Sequence, residues 1–136
     1  MIIVKVKAIL PKIQEAIKLS NIHDNIRNQL DSEAEGQHWL DRVKKKQEDT
    51  NFTTTGQNLK EYLIGLTTEE VALIQSVMYI GRESKYDSSV EEEPESALRS
   101  LYDRARQQDK DEMVFQITGK KHISRFLWDG LKILGL

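Results

Sequence analysis

The stretch VALIQSVMYIGRES, residues 71–84, decides the fold because its apolar residues are too closely spaced for a helix that faces water on one side. A main apolar stripe at intervals of three and four is widened by further apolar residues outside it. The stripe and its extension contain Val71, Ile74, Val77, Met78, Ala72, Leu73 and Ile80. A helix with this pattern packs on more than one side. The stretch therefore predicts the central helix of an all-α protein.

The two ends of this helix carry their own signals. Thr67 and Glu70 have the spacing of a capping box, in which the threonine hydroxyl and the glutamate carboxylate satisfy each other's backbone N–H groups. At the other end, Gly81 predicts a helix end, because glycine readily adopts the left-handed conformation that closes a helix. Arg82 suits the negative end of the helix dipole. Arg82 also has a second interpretation, as a residue that lines a site together with Tyr79 and Tyr86.

Before this helix the patterns are mixed. Residues 1–10 alternate like a strand in VKVK but also fit helical spacing, and helix is slightly favoured. A long helix is predicted from Pro11 onward, and Gly36 is expected to mark its end. The segment QHWLDRVKKKQED, residues 37–49, predicts a shorter helix with Trp39, Leu40 and Val43 inward. Residues 49–58, DTNFTTTGQN, predict a loop, because threonine and asparagine side chains compete for backbone hydrogen bonds.

After the central helix, Pro94 suits the first turn of another helix, and a short helix and a closing helix complete the chain, with Gly130 a weak point in the last of them. We expect one all-α domain, a single compact bundle of five or six helices with a short N-terminal segment that is either extended or helical. Residues 1–50 are expected to form an arm or covering layer, and residues 51–136 a compact C-terminal module.

Length and charge bound the class of protein. A chain of 136 residues has the size of one domain. Its net charge of −2 gives no general attraction to nucleic acid or anionic lipid. The absence of cysteine excludes disulfides, thiolate nucleophiles and cysteine-ligated metals. The opening segment is a poor secretory signal and no run of ~20 apolar residues exists, so we expect a soluble, cytoplasmic protein without a membrane partner.

Catalytic groupings are not evident. The three histidines show no metal-binding spacing, and the chain has neither a nucleophile elbow nor a glycine-rich phosphate loop. The sequence therefore predicts no metal, no cofactor and no catalytic residue, and it favours a protein that is not an enzyme. An enzyme would have to use Arg82 with Tyr79, Tyr86 and His122.

Two basic groups have a binding and a structural interpretation. The candidate anion site contains Lys120, Lys121, His122 and Arg125, beside the free backbone N–H groups of a helix start. The second group is the basic run Arg42, Lys44, Lys45 and Lys46, which with Trp39 upstream resembles a nucleic-acid surface. In both places solvated lysines on a helix surface are the more ordinary interpretation.

The basic run has a further candidate role as an interface. It is opposite in charge to the acidic residues Glu91, Glu92 and Glu93, and the two groups are expected to pair within one chain or across a symmetric homodimer. Large apolar residues elsewhere would supply the apolar part of such an interface, or belong to the core.

Three segments resemble a known family. They are LKEYLIGLTTEEVALIQSVMYIGRES, SALRSLYDRARQQ and ITGKKHISRFLWDGLKILG, and the motifs within them are Ile80-Gly81-Arg82, Ala105-Arg106, Thr118-Gly119 and Gly130-Leu131. Over about residues 59–136 the chain resembles the bacterial family called domain of unknown function 3775 (DUF3775). It departs from that family's pattern at Glu83 and at Lys120-Lys121. The resemblance implies a small helical bacterial domain and no activity.

The sequence thus leads to two functional hypotheses. The first is a non-enzymatic protein-interaction module that associates with itself, as a homodimer, or with another protein. The alternative is a binder of an anion, a nucleotide or nucleic acid through one of the two basic groups.

Overall fold

The computed structural model describes every residue, Met1–Leu136. It contains nine helices and no strand, so the all-α prediction is confirmed, with more helices than the five or six expected. The helices are α1 (Ile2–Ala8), α2 (Leu10–Glu33), α3 (Trp39–Glu48), α4 (Thr50–Ile64), α5 (Thr68–Glu83), α6 (Ser89–Glu92), α7 (Pro94–Ala105), α8 (Lys110–Thr118) and α9 (Ile123–Ile133). No helix combines the length and the apolar character that crossing a membrane requires.

Helix α5 is the centre of the fold, as the sequence predicts. Its N-terminus has the predicted capping box: the backbone N–H of Glu70 donates to the Thr67 hydroxyl over 3.1 Å, and the backbone N–H of Thr67 donates to the Glu70 carboxylate over 2.9 Å. Buried residues occupy every side of the helix, because α7, α8 and α9 all pack against it.

The prediction that Gly81 ends this helix is wrong. Helix α5 continues through Gly81 to Glu83, and Gly81 does not have a positive φ. Glycine is required there for space, because a Cβ at Gly81 would overlap the carbonyl oxygen of Phe126 on α9. The crossing is reciprocal: a Cβ at Gly130 would overlap the carbonyl oxygen of Val77. Gly130 is therefore not merely a weak point of α9, because it forms the second half of this close contact between α5 and α9.

The first 64 residues include α1, α2 and α4, which share one apolar core with α5. Helix α2 packs on α4 and α9, while α1 lies against α5 and α7. Their fully buried contributions to the core are Ile2, Val6, Ile13, Leu59 and Leu63. The ambiguous first ten residues are thus helical, and α1 is anchored by its apolar face.

The loop predicted over residues 49–58 is also wrong, since α4 begins at Thr50. Asp49 caps this helix by accepting a hydrogen bond from the backbone N–H of Phe52 over 2.8 Å. The Thr55 hydroxyl donates to the backbone carbonyl of Asn51 over 2.8 Å. The threonines therefore bond to carbonyls of their own helix, and do not divert its backbone into a loop.

Two helix N-termini are capped by carboxylates from distant parts of the chain. The backbone N–H groups of Ile2 and Ile3 donate to the Glu95 carboxylate over 2.6 and 3.2 Å. The backbone N–H and the hydroxyl of Ser124 donate to Asp24 Oδ2 over 2.9 and 3.0 Å. A carboxylate is stabilising at the positive end of a helix, so these contacts join α1 to α7 and α9 to α2.

Candidate functional site

An open cleft of about 500 Å³ lies beside α5, α6 and α7. Two polar stripes face each other across it. Helix α5 contributes Gln75, Tyr79 and Glu83, and helix α7 contributes Ser96, Ser100 and Arg104. Both stripes repeat every four residues, the spacing that places side chains on one side of a helix. We call this feature the polar cleft.

The polar cleft has two chemically different ends because α5 and α7 run antiparallel. The Tyr102 hydroxyl, near the end of α7, donates to Glu69 at the start of α5 over 3.1 Å, which fixes this orientation. Glu83 is the last residue of α5 and Glu93 directly precedes α7, so the antiparallel arrangement places these carboxylates and that of Asp87 toward the same end of the cleft. The other end carries the Arg104 guanidinium and the amides of Gln75 and Gln108.

Amide oxygens without partners lie at this second end. Gln75 is only 1% exposed, and its amide nitrogen donates to the Gln116 carbonyl oxygen over 2.7 Å. The Gln108 carbonyl oxygen is buried without a hydrogen-bond partner, whereas the Gln75 carbonyl oxygen accepts no hydrogen bond from the chain but is not fully buried. Buried polar atoms are nearly always hydrogen-bonded in folded proteins. This end of the cleft therefore has unused capacity to accept hydrogen bonds.

The structure brings together two residues of the predicted pocket. The Arg82 guanidinium lies 5.9 Å from the centre of the Tyr79 ring, and the Lys120 ammonium lies 5.8 Å from it. Burial raises the pKa of Tyr79, and the Glu83 charge adds to this effect while Arg82 opposes it. The Tyr79 hydroxyl therefore stays protonated at neutral pH. The third predicted residue, Tyr86, is 83% exposed and does not line the polar cleft.

Two of the cations in the predicted anion site, Lys121 and Arg125, already lie near carboxylates of the chain. Lys121 lies 4.0 Å from the Asp31 carboxylate, and Arg125 lies 3.9 Å from Asp129. His122 precedes α9 in the left-handed conformation, with a φ of 60°, and its ring packs edge-on against Phe126.

The backbone position at which an anion was expected is occupied too. The N–H of Ser124 at the start of α9 already donates to the Asp24 carboxylate. The chain thus supplies its own anion at this helix start.

The basic run is also paired within the chain. Its partners are carboxylates near the end of α2: Arg42 and Lys46 lie 4.0 and 2.5 Å from Asp31, and Lys45 lies 3.4 Å from Glu33. Partial burial acts to raise the pKa of Asp31, but the cations around it, Lys46 foremost, lower that pKa below its usual value. Asp31 therefore stays ionised and holds α3 against α2.

The apolar residues of α3 do not point inward, and that prediction is wrong. No residue of α3 is buried, and Trp39, Leu40 and Val43 are 64%, 55% and 44% exposed. Viewed down the helix axis, these three residues lie within an arc of about 100°. The centre of the paired basic residues lies about a third of a turn from the centre of that arc. We call these three residues the α3 stripe. The ion pairs face the protein body, and the α3 stripe faces water.

The acidic residues Glu91, Glu92 and Glu93 are exposed and form no ion pair with the basic run. The intramolecular pairing expected from the sequence is therefore not observed, because Asp31 and Glu33 lie closer to α3. Glu93 belongs to the acidic end of the polar cleft.

The histidines lie in separate environments. His23 is buried, its Nδ1 lies 2.8 Å from the Thr55 hydroxyl, and its ring stacks on Phe52. His38 caps α3 by accepting a hydrogen bond from the backbone N–H of Leu40 over 3.2 Å. No group of three or more histidine and carboxylate side chains is arranged to hold a metal ion.

Fold and surface together define a small all-α protein with one polar cleft and one helix whose apolar side is exposed. Comparison with known proteins finds no family model, no curated protein and no solved structure that matches the chain. The resemblance to DUF3775 therefore stays a prediction.

Proposed function

We propose that the protein is a non-enzymatic interaction module that associates with itself through the α3 stripe. The observation that carries this proposal is the orientation of α3. An amphipathic helix on a monomer normally turns its apolar side to the core. Here the charged side is bound to the protein body, while Trp39, Leu40 and Val43 are left in water.

A second copy of the chain is the occupant that fits this surface best. Lys44 flanks the stripe, about 40° from Leu40 around the helix, and takes part in none of the chain's ion pairs. When two copies of α3 pack antiparallel about a two-fold axis, the apolar stripe of each copy meets the same stripe of the other. A symmetric interface requires such a self-complementary patch.

The expected dimer is a weak one. One short stripe buries much less than the about 800 Å² per partner of a standard interface. Tryptophan near the centre of such a patch nevertheless contributes a large share of the binding energy. We expect association over protein concentrations of about 10 to 500 µM, the range in which weak, small interfaces form.

Sedimentation equilibrium across that concentration range tests the proposal. The wild-type protein should shift from monomer to dimer, and the double variant Trp39→Ser, Val43→Ser should remain monomeric. The matched control is Trp128→Ser, which removes another exposed tryptophan from outside α3. A wild-type protein that is monomeric throughout, or a Trp128→Ser variant that is as impaired as the double variant, would contradict the proposal.

A charge placed within the stripe tests this side of α3 separately. The variant Leu40→Glu should weaken the dimer, because it buries a carboxylate of each copy in the apolar contact. The control Asp41→Lys, on the far side of α3, should leave association unchanged. A Leu40→Glu variant that associates as the wild-type protein does would exclude the α3 stripe as the interface.

The alternative, binding of an anion, a nucleotide or nucleic acid, has less support. Of the basic run only Lys44 lacks an ion pair, and Lys121 and Arg125 each have a carboxylate within 4.0 Å. Titration with short single-stranded RNA at low ionic strength should therefore leave the anisotropy of the labelled RNA unchanged.

A further inference from the structure

The polar cleft carries a second proposal that is independent of self-association. We propose that it binds a small linear zwitterion, such as a short peptide, with the ammonium group at the acidic end and the carboxylate at Arg104. Its volume of about 500 Å³ lies within the range of small-molecule sites in proteins.

The cleft is formed by small side chains and not by poor packing. Ser96, Ala97 and Ser100 line it from α7, opposite the longer Gln75 and Tyr79 of α5. Larger residues in these places would fill the space between the helices. The short side chains keep it open and leave serine hydroxyls on its surface.

The acidic end of the polar cleft is suited to bind a cation. Glu83, Asp87 and Glu93 line this end, and none of them forms an ion pair in the chain. Asp87 accepts hydrogen bonds from the backbone N–H and hydroxyl of Ser89, which lower its pKa and keep it ionised. Carboxylates held near one another repel, and an ammonium group between them relieves that repulsion.

The opposite end of the polar cleft is suited to bind a carboxylate and hydrogen-bond donors. The Arg104 guanidinium lines the cleft and has no carboxylate partner in the chain. A guanidinium binds a carboxylate through two parallel hydrogen bonds. Gln108 also lines the cleft, and its buried carbonyl oxygen has no donor, which a peptide N–H would supply.

The separation of the two ends sets the length of the ligand. Gln75 and Glu83 lie eight residues apart on α5, which corresponds to about 12 Å along the helix. An extended chain of about three residues has this span, at roughly 3.4 Å per residue. The polar cleft therefore fits a tripeptide better than a single amino acid.

Calorimetric titration with three forms of trialanine tests this proposal. Free trialanine carries both charges, N-acetyl-trialanine lacks the ammonium group, and trialanine amide lacks the carboxylate. We expect free trialanine to bind and each blocked form to bind about tenfold more weakly, the usual effect of losing one charged hydrogen-bonding group. Equal binding of a blocked form, or no binding of free trialanine up to about 10 mM, would overturn the proposal.

Paired variants locate the binding within the cleft. Glu93→Gln and Arg104→Gln should each weaken binding of free trialanine about tenfold. Glu92→Gln and Arg99→Gln make the same charge changes at neighbouring exposed positions outside the cleft, and they should leave binding unchanged. All four positions are exposed, so the variants should fold. Equal losses in the cleft variants and their controls would show that only the overall charge matters and would overturn the proposal.

A final ligand distinguishes peptides from other zwitterions. The compound 8-aminooctanoate has charged ends at a similar separation but no peptide groups. If only trialanine binds, the peptide groups are recognised, and the Gln108 carbonyl oxygen is the acceptor available for them. If both compounds bind, the two charged ends are sufficient. Repeating the titration with the Trp39→Ser, Val43→Ser variant keeps this result separate from the oligomeric state.

Discussion

Helices α3 and α9 are of similar length but attach to the protein in opposite ways. Helix α9 crosses α5 at Gly81 and Gly130, where the two backbones touch and no side chain fits between them. Helix α3 buries no residue and is held by ion pairs to Asp31 and Glu33. Close apolar packing is insensitive to salt, whereas ion pairs that are partly exposed, as these are, are weakened by salt. The packing of α9 on α5 forms part of the core, whereas the ion pairs of α3 leave its apolar side on the surface.

The largest effect is expected at the α5–α9 crossing. Replacing Gly81 by alanine should lower the free energy of unfolding by about 3 kcal/mol or more, because the new Cβ forces the two backbones apart. Urea unfolding measures this change. The matched control is Gly65→Ala, since a Cβ at Gly65 meets only ordinary contacts at 3.4 and 3.5 Å. A Gly81→Ala variant as stable as the Gly65→Ala variant would refute the role assigned to the crossing.

A smaller loss is expected at the contact between α2 and α9. The variant Asp24→Ala leaves the backbone N–H of Ser124 without an acceptor and should cost about 1–2 kcal/mol. Asp24→Asn retains an acceptor oxygen and should cost less. In the same urea experiment, Asp41→Ala should change stability by less than about 0.5 kcal/mol, as an exposed residue without a partner. Equal effects of the Asp24→Ala and Asp41→Ala variants would contradict the capping role.

Stability should also depend on pH through His23. Burial lowers its pKa below the ordinary value of 6.5, and Arg27 adds to this effect while Asp24 opposes it. The unfolded chain therefore binds a proton more readily than the folded one, so stability should fall as the pH drops below 6.5. Melting temperatures between about pH 5 and 8 measure this dependence. It should flatten in His23→Gln and persist in His122→Gln, which alters an exposed histidine.

The sequence predicts the helical class and the capping box of α5, because both follow from local spacing. It does not reveal why Gly81 and Gly130 are glycine, because that reason lies in the partner helix and not in the chain around them. Similarly, the apolar residues of α3 predict a buried side, and only the position of Asp31 explains why the other side faces inward.

Of the predicted pocket residues only Tyr79 lines the polar cleft, although the sequence contains a signal for more of it. Gln75, Tyr79 and Glu83 repeat every four residues in an otherwise apolar helix, and a matching repeat runs through Ser96 and Arg104. Each repeat alone looks like an ordinary polar side of a helix. Their meaning depends on the antiparallel pairing of α5 with α7, which local patterns do not specify.

Hydrogen exchange of the native protein at low and high salt tests the contrast between α3 and α9 most directly. We expect the amides of α3 to exchange through a local opening that becomes more frequent at high salt. We expect the amides of α5 and α9 to exchange only with global unfolding and to respond little to salt. Protection of α3 as strong as that of α9, unchanged by salt, would contradict this contrast.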